Sequence, residues 1–399
     1  MAFIHGFGVL CLSLFVVAVA SVQAAGPKVF DVRKYGARGD GRTDNTNAFT
    51  KAWKDACRWK GRSRVYVPVG TFYLKEGTFI GPCKNYINFV IKGTLLAPKN
   101  PDQIKRDTWI IFRYVDHLTV SGGGTLDGQG AHSWPLNDCH KNPNCRTLSM
   151  NIGFQFVKHS IVNRIKSVNS KAGHFNVFSV ENFNITKVTI TAPGDSPNTD
   201  GIKIGYSSRV RIANSRIGTG DDCIAILSGT TDIDISKVKC GPGHGISVGS
   251  LGKNKKEKDV KGLRVRNTVF NGTSDGVRIK TWASSASQIV VSDFLYENLR
   301  MIDVGYPINI DQEYCPHPPC SENSPSHVQI QRVKFNNIWG TSSRKEAVKL
   351  ECSRRFPCRK IELYDINLVH KGPNGPATAI CNNVRASTGG KMVPPACVR

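Results

Sequence analysis

Three aspartates and a histidine stand in short polar tripeptides at or beside glycine: Asn198-Thr-Asp200, Gly220-Asp-Asp222 and Gly243-His-Gly245. Carboxylates gathered on one patch cannot all ionise cheaply, so such a set either binds something or divides its labour. One carboxyl with a raised pKa can protonate a leaving group while ionised neighbours activate water. Lys203 and the pair in Arg278-Ile-Lys280 add cations a few positions after Asp200 and Asp275. Cations beside acid–base carboxylates suit a substrate that is itself acidic. Asp275, also placed before a glycine, reads on its own as a hydrogen-bonding turn residue.

For these residues to meet, the chain must repeat. One series of strand-like segments contains Gly201-Ile-Lys-Ile204, Cys223-Ile-Ala-Ile226, Gly245-Ile-Ser-Val248, Gly276-Val-Arg-Ile279, Pro307-Ile-Asn-Ile310 and Ala347-Val-Lys-Leu350. Its members start at intervals of 22, 22, 31, 31 and 40 residues. A second series alternates with it: Val188-Thr-Ile190, Val210-Arg-Ile212, Ile233-Asp-Ile235, Leu263-Arg-Val265, Ile289-Val-Val291, Val328-Gln-Ile330 and Ile361-Glu-Leu363. A paired motif recurring at about 22 residues predicts the coils of an all-β parallel β-helix rather than a sandwich or barrel. Stacked coils lie ~4.8 Å apart, so Asp200, Asp222 and His244, each just before a strand start, become neighbours along one sheet edge. Strict alternation from Ile202 and Ile224 would turn those residues inward, so this reading requires the chain to bend before each strand. Thr43 to Cys57, with Phe49 and Trp53 four apart, predicts a helix capping the N-terminal end of the column, its first amides met by Asp44 or Asn45.

The 54 Lys and Arg against 30 Asp and Glu give a net charge of +24, which calls for an acidic partner: nucleic acid, anionic lipid or an acidic polymer. Residues 1–24 contain no Lys, Arg, Asp or Glu, Val9 to Ala20 is apolar, and Val22-Gln23-Ala24 offers a cleavage site. These features predict a signal peptide over 1–24 and export of the remainder, 25–399, which can form one domain, with no membrane attachment after cleavage. Of the 13 cysteines, Cys11 leaves with the leader, and the even remainder predicts disulfides. Local pairing is expected for Cys139/Cys145, Cys223/Cys240, Cys315/Cys320, Cys352/Cys358 and Cys381/Cys397. Asn184-Ile-Thr186 and Asn271-Gly-Thr273 are glycosylation sequons of the kind a surface loop presents.

The four motifs Asn198-Thr-Asp200, Gly220-Asp-Asp222, Gly243-His-Gly245 and Arg278-Ile-Lys280, in that order, resemble those of the polygalacturonases, family 28 of the glycoside hydrolases. The likeness runs from Phe30-Asp-Val-Arg-Lys-Tyr-Gly36 to near the C-terminus. It implies a right-handed, single-stranded parallel β-helix of the pectin-lyase-like kind, hydrolysing the α-1,4 links of homogalacturonan with inversion. It makes Asp221 the general acid and Asp200 and Asp222 the base acting on water, with His244 supporting the acid. Arg278 and Lys280 become substrate-carboxylate ligands, joined by Tyr314 of Asp311-Gln-Glu-Tyr314 and by Asn198. No metal or other cofactor is implied, and the partner is pectin, taken by a monomer outside the cell. The segments Ser196-Pro-Asn-Thr-Asp-Gly201, Gly241-Pro-Gly-His-Gly-Ile-Ser247 and Asp275-Gly-Val-Arg-Ile-Lys-Thr-Trp282 resemble plant enzymes, nearest the exo-acting pollen group. Exo action requires loops that close one end of a cleft. The cysteine-bearing segment 134–145 and the insertion 251–261, with Lys253, Lys255, Lys256 and Lys258, are the expected walls.

Three rivals remain at this stage. An endo-acting polygalacturonase would share every motif. A pectate lyase would need Ca²⁺ held by carboxylates beside a basic residue acting as base, an arrangement the Asp-Asp and Gly-His-Gly set does not resemble. A noncatalytic wall-binding protein would keep the cations, but three acids that do no chemistry would hinder its hold on an anionic polymer. Export argues against nucleic acid as the partner.

Overall fold

The isoleucine that opens each coil lies on its equivalent in the next. Ile202 pairs with Ile224, Ile224 with Ile246, and the column continues through Val277, Ile308 and Val348, all of them buried. This register reproduces the 22, 22, 31, 31 and 40 residue intervals of the sequence. In a computed structural model of the chain, which describes Ala2 and residues 26–139, 141–142, 144–316, 318, 320 and 325–397, every strand pairing is parallel. One sheet has eleven strands, from Gly77–Ile80 through Ile202–Gly205, Ile224–Ile226, Ile246–Leu251, Asp275–Trp282 and Tyr306–Tyr314 to Thr378–Asn382. The remaining strands form a second, continuous sheet that wraps the other sides of the column. The architecture is the expected right-handed parallel β-helix. Each strand finds its partner one coil later, and the β-branched residues at every second position fill a single apolar column.

Within the second sheet the chain turns corners through left-handed backbone. Asn267, Asn298 and Asn337 occupy equivalent corners with φ of 53°, 54° and 51°. Asn298 Nδ2 donates to Asn267 Oδ1 at 3.3 Å, and Asn337 Nδ2 to Asn298 Oδ1 at 2.8 Å. Asparagine tolerates this conformation because its short polar side chain bonds locally.

The second series of segments does not form one stack. Val210, Ile233 and Leu263 are in register, but the next two coils supply Phe294 and Val333 before Ile361. The segments at 289–291 and 328–330 stack instead on Val260, and Ile190 stacks on Ile217 in another strand column. Hydrophobic alternation is the same in all these strands, so pattern alone mixes the columns.

The helix spans Thr46–Arg58 rather than 43–57, because Asp40–Asp44 forms a strand against Thr71–Tyr73. Asp44 Oδ1 accepts from Thr46 N at 3.1 Å, whereas the Asn45 side chain is spent on Arg38 and Tyr73. Phe49 and Trp53 pack edge-on or tilted against Phe72, Phe79, Phe89 and Phe112 of the first coils. The five local disulfides are present, and a sixth, Cys57–Cys83, ties the helix end to the column. Asn271 is exposed at the end of its strand, but Asn184 is half-buried within the strand Glu181–Thr186, not on a loop. The leader expected over 1–24 lies outside the described residues, Ala2 excepted. Among the described residues no helix is long and apolar enough to cross a membrane.

Candidate active site

The required bends exist. Residues 220, 221 and 223 bend before the strand Ile224–Ile226, and the ladder continues through them: Gly201 N donates to Asp222 O at 2.9 Å and Cys223 N to Gly245 O at 2.8 Å. The bends turn the aspartate side chains from the core onto the outer face of the eleven-stranded sheet, where their partners lie. Gly243 and Gly245 flank His244 with φ of 136° and 82°. A Cβ at Gly243 would stand 2.5 Å from Asp221 O, and one at Gly245 would stand 2.2 Å from Asp275 O. Only glycine lets the histidine coil come down this closely on the aspartate coil.

His244 Nδ1 lies 3.0 Å from Asp221 Oδ1, which also accepts from Asp222 N at 2.7 Å. Asn198 Nδ2 donates to Asp221 Oδ2 at 3.3 Å. Asp222 is buried and doubly held, by Ser247 Oγ on Oδ1 at 2.6 Å and by Lys280 Nζ on Oδ2 at 2.9 Å. Asp200, also buried, faces Lys203 Nζ at 2.7 Å. Burial, reinforced by the charge of Asp221, pushes the Asp200 carboxyl up to about 7 against the pull of Lys203. Burial also acts to raise Asp221, but the bond and charge of His244, with Lys280 and Lys203, hold it well below the usual carboxylate range. The bond to Asp221 in turn raises His244 above its ordinary value. Lys280 is buried, which opposes its charge, yet Asp222 raises it above an ordinary lysine.

Arg278 and Lys280 project from alternate positions of one strand, both beside the ring of Tyr314 at 5.4 and 5.6 Å. Arg278 is steadied by Asp275 at 3.5 Å and Asp311 at 3.8 Å. Asp275 is itself fixed by Asn309 Nδ2 at 2.7 Å, so it orients the arginine rather than merely closing a turn. Sequence reading assigned no role to Asn309 or Asp311. Their signal was the strand register, which pairs Asn309 with Arg278 and Asp311 with Lys280.

These side chains line one cleft of about 610 Å³, containing Asn198, Asp200, Lys203, Asp221, Asp222, His244, Arg278, Lys280 and Tyr314. The segment 134–145 contributes Cys139, Asn142 and Cys145 to its wall, as expected. The insertion 251–261 does not line it. Lys253 lies over Trp282 at 4.9 Å and Lys258 beside Tyr206 at 5.8 Å, so the cations of this loop are partly spent on aromatic faces outside the cleft. An unanticipated wall is Pro316, in the disulfide-closed loop after Tyr314.

Among the described residues, one oxygen each of Asp221 and Asp222 and a ring nitrogen of His244 lie within 4.8 Å of one another and could together hold a metal. The ammonium of Lys280 on Asp222 disfavours a divalent cation there.

Comparison with known proteins agrees with this architecture. The family model described as glycosyl hydrolases family 28 matches residues 57–392. An exopolygalacturonase of Platanus acerifolia is 47% identical over 374 residues, covering 94% of this chain and 98% of that protein. An exopolygalacturonase of Thermotoga maritima superposes with a TM-score of 0.71 at 19% identity, over 92% of this chain and 91% of that one. An endo-xylogalacturonan hydrolase of Aspergillus tubingensis does so with 0.76 at 21% identity, over 92% and 99%. Exo and endo enzymes therefore share this fold. The chain belongs to glycosyl hydrolase family 28 and is a glycoside hydrolase.

Proposed function

We propose that the chain is a secreted polygalacturonase that cleaves the α-1,4 links of homogalacturonan with inversion, releasing galacturonate from chain ends in plant cell-wall remodelling. The observation that carries this reading is the interleaving of three carboxylates with Lys203, Arg278 and Lys280 in one cleft. The acids serve the chemistry, and the cations with Tyr314 and Asn198 hold the carboxylates of the substrate. On this reading residues 25–399 act as one catalytic domain and as a monomer. The helix Thr46–Arg58 caps the column, and Asn184 and Asn271 carry glycans.

The His244–Asp221 pair stores the acid's proton. In the free protein it rests on the histidine side, since Asp221 is held low and His244 high. As the glycosidic bond breaks, the proton passes from His244 to Asp221 and from Asp221 to the departing oxygen. Water on the opposite face of the sugar attacks the anomeric carbon and gives its proton to Asp200 or Asp222. Asp200 must therefore ionise before it can act, and arrival of substrate carboxylates at the cations sets which acid holds the site's remaining proton.

This predicts a pH profile. His244 is raised, so the pair keeps its proton below that value and loses it as pH rises through it. In His244→Gln the proton must sit on Asp221 alone, which titrates as a carboxyl, so the alkaline limb of kcat against pH is expected to move down by at least ~1 unit. An unmoved limb would contradict the relay.

Exo action is supported by the walls. Cys139–Cys145 sits against the coil of Asn198, with Asn137 Nδ2 on Pro197 O at 3.4 Å, and Cys315–Cys320 follows Tyr314. The test is a time course of products from polygalacturonate by mass spectrometry alongside viscosity. Monomer from the outset with little fall in viscosity is expected. Early mixed oligomers would make the enzyme endo-acting, and unsaturated products would make it a lyase.

A further inference from the structure

A second cationic site lies on another face of the column. Lys166, Thr189, Arg216 and Lys239 are consecutive register partners in the second sheet. Arg164, Lys187 and Lys237 belong to the corners two residues earlier in the same coils, each with left-handed backbone. Four successive coils thus present Arg164 and Lys166, then Lys187, then Arg216, then Lys237 and Lys239. All six cations are exposed. The segments that carry them, 163–168, 186–191, 213–218 and 236–240, contain no Asp or Glu.

Elsewhere the outer surface pairs its charges: Arg266 with Asp234, Arg209 and Lys158 with Glu181, Arg332 with Asp293. The six cations of the strip make no ion pair, side-chain hydrogen bond or ring contact among the described residues, and none lines the cleft. Like charges stacked on coils ~4.8 Å apart repel one another, which disfavours the fold slightly and repays nothing within it. A strip with at least one unpaired cation in each of four successive coils is what an external polyanion would neutralise.

We infer that this strip is a second polysaccharide-binding site, which holds a galacturonan chain by its carboxylates on a face separate from the catalytic cleft. The identity of the polymer rests on the substrate reading above. The match is one of charge and repeat: a linear polymer with one carboxylate per sugar meets cations spaced by the coil, and the strip runs far enough to engage several sugars at once. Each exposed contact is weak, but linked contacts add through effective concentration. The strand Arg216–Gly218 leads directly into the Gly220-Asp-Asp222 bend, so a chain held here keeps the cleft within reach of neighbouring chains in the same matrix.

The test compares the whole protein with Lys187→Gln/Arg216→Gln/Lys239→Gln, by retention in gels containing polygalacturonate or fully methyl-esterified pectin and by initial rates on a galacturonate trimer and on polymer. The variant is expected to bind the polymer about tenfold more weakly at low salt, with trimer hydrolysis unchanged and the wild type unretarded by the esterified pectin. Equal retention of variant and wild type, or equal retention of the wild type by both polymers, would overturn the proposal. Lys187→Arg/Lys239→Arg keeps the charge and is expected to retain wild-type binding, which separates loss of charge from a damaged fold. Absence of trimer and polymer hydrolysis in the wild type would instead refute the substrate reading, and the retention comparison would still decide whether the strip binds a polycarboxylate.

Discussion

Asp221→Asn is expected to lower kcat on galacturonate oligomers by ~10²–10⁴, the usual contribution of a positioned general acid. The amide keeps the shape of the side chain and cannot deliver a proton. Affinity for oligomers should change little, because Arg278 and Lys280, the proposed ligands of substrate carboxylates, are paired with Asp275, Asp311 and Asp222 rather than with Asp221. Steady-state kinetics together with calorimetric binding by the inactive protein separate the two effects. Near-normal turnover would remove Asp221 from the chemistry.

Lys280→Ala is expected to weaken oligomer binding by roughly ten- to a hundredfold, which corresponds to the ~1.5–3 kcal/mol of a hydrogen bond to a charged group. The ammonium sits beside Tyr314 and 2.9 Å from Asp222. Its removal costs the substrate a partner and leaves a buried carboxylate without its counter-charge, so kcat should fall as well. Lys280→Arg keeps the charge but not the point-like geometry, and should recover part of the binding. Equal affinity of Lys280→Ala and wild type would show that the lysine serves only Asp222.

The coil register was legible because a β-branched apolar residue recurs where these coils open: Ile202, Ile224, Ile246, Val277 and Ile308 stack as their spacing predicts. The convergence of Asp200, Asp222 and His244 followed only with an assumed bend, since alternation by itself points those side chains inward. The structure supplies that bend through Gly220, Gly243 and Gly245. The second strand series was less legible, because Ile289-Val-Val291 has the same alternation as Leu263-Arg-Val265 but stacks in a different column. Asp275 was read as a turn residue because one aspartate before a glycine says nothing of the arginine three positions on. Its contact with Arg278, and the hydrogen bond it accepts from Asn309 of the next coil, come from the strand register. The resting place of the protons was not legible at all, because it depends on how burial competes with His244 and Lys203 at each carboxylate.

The proposed reaction is inverting hydrolysis at a site in which Asp221, Asp222 and His244 each offer an atom within 4.8 Å of the others and Asp200 lies one coil away. Proton NMR of the sugar released in the first turnovers, before mutarotation, tests it most directly. The account predicts the β-anomer of galacturonate from the α-linked polymer, formed by water attacking opposite the departing oxygen. Initial release of the α-anomer would contradict it, since one carboxylate would then have formed a bond to the sugar.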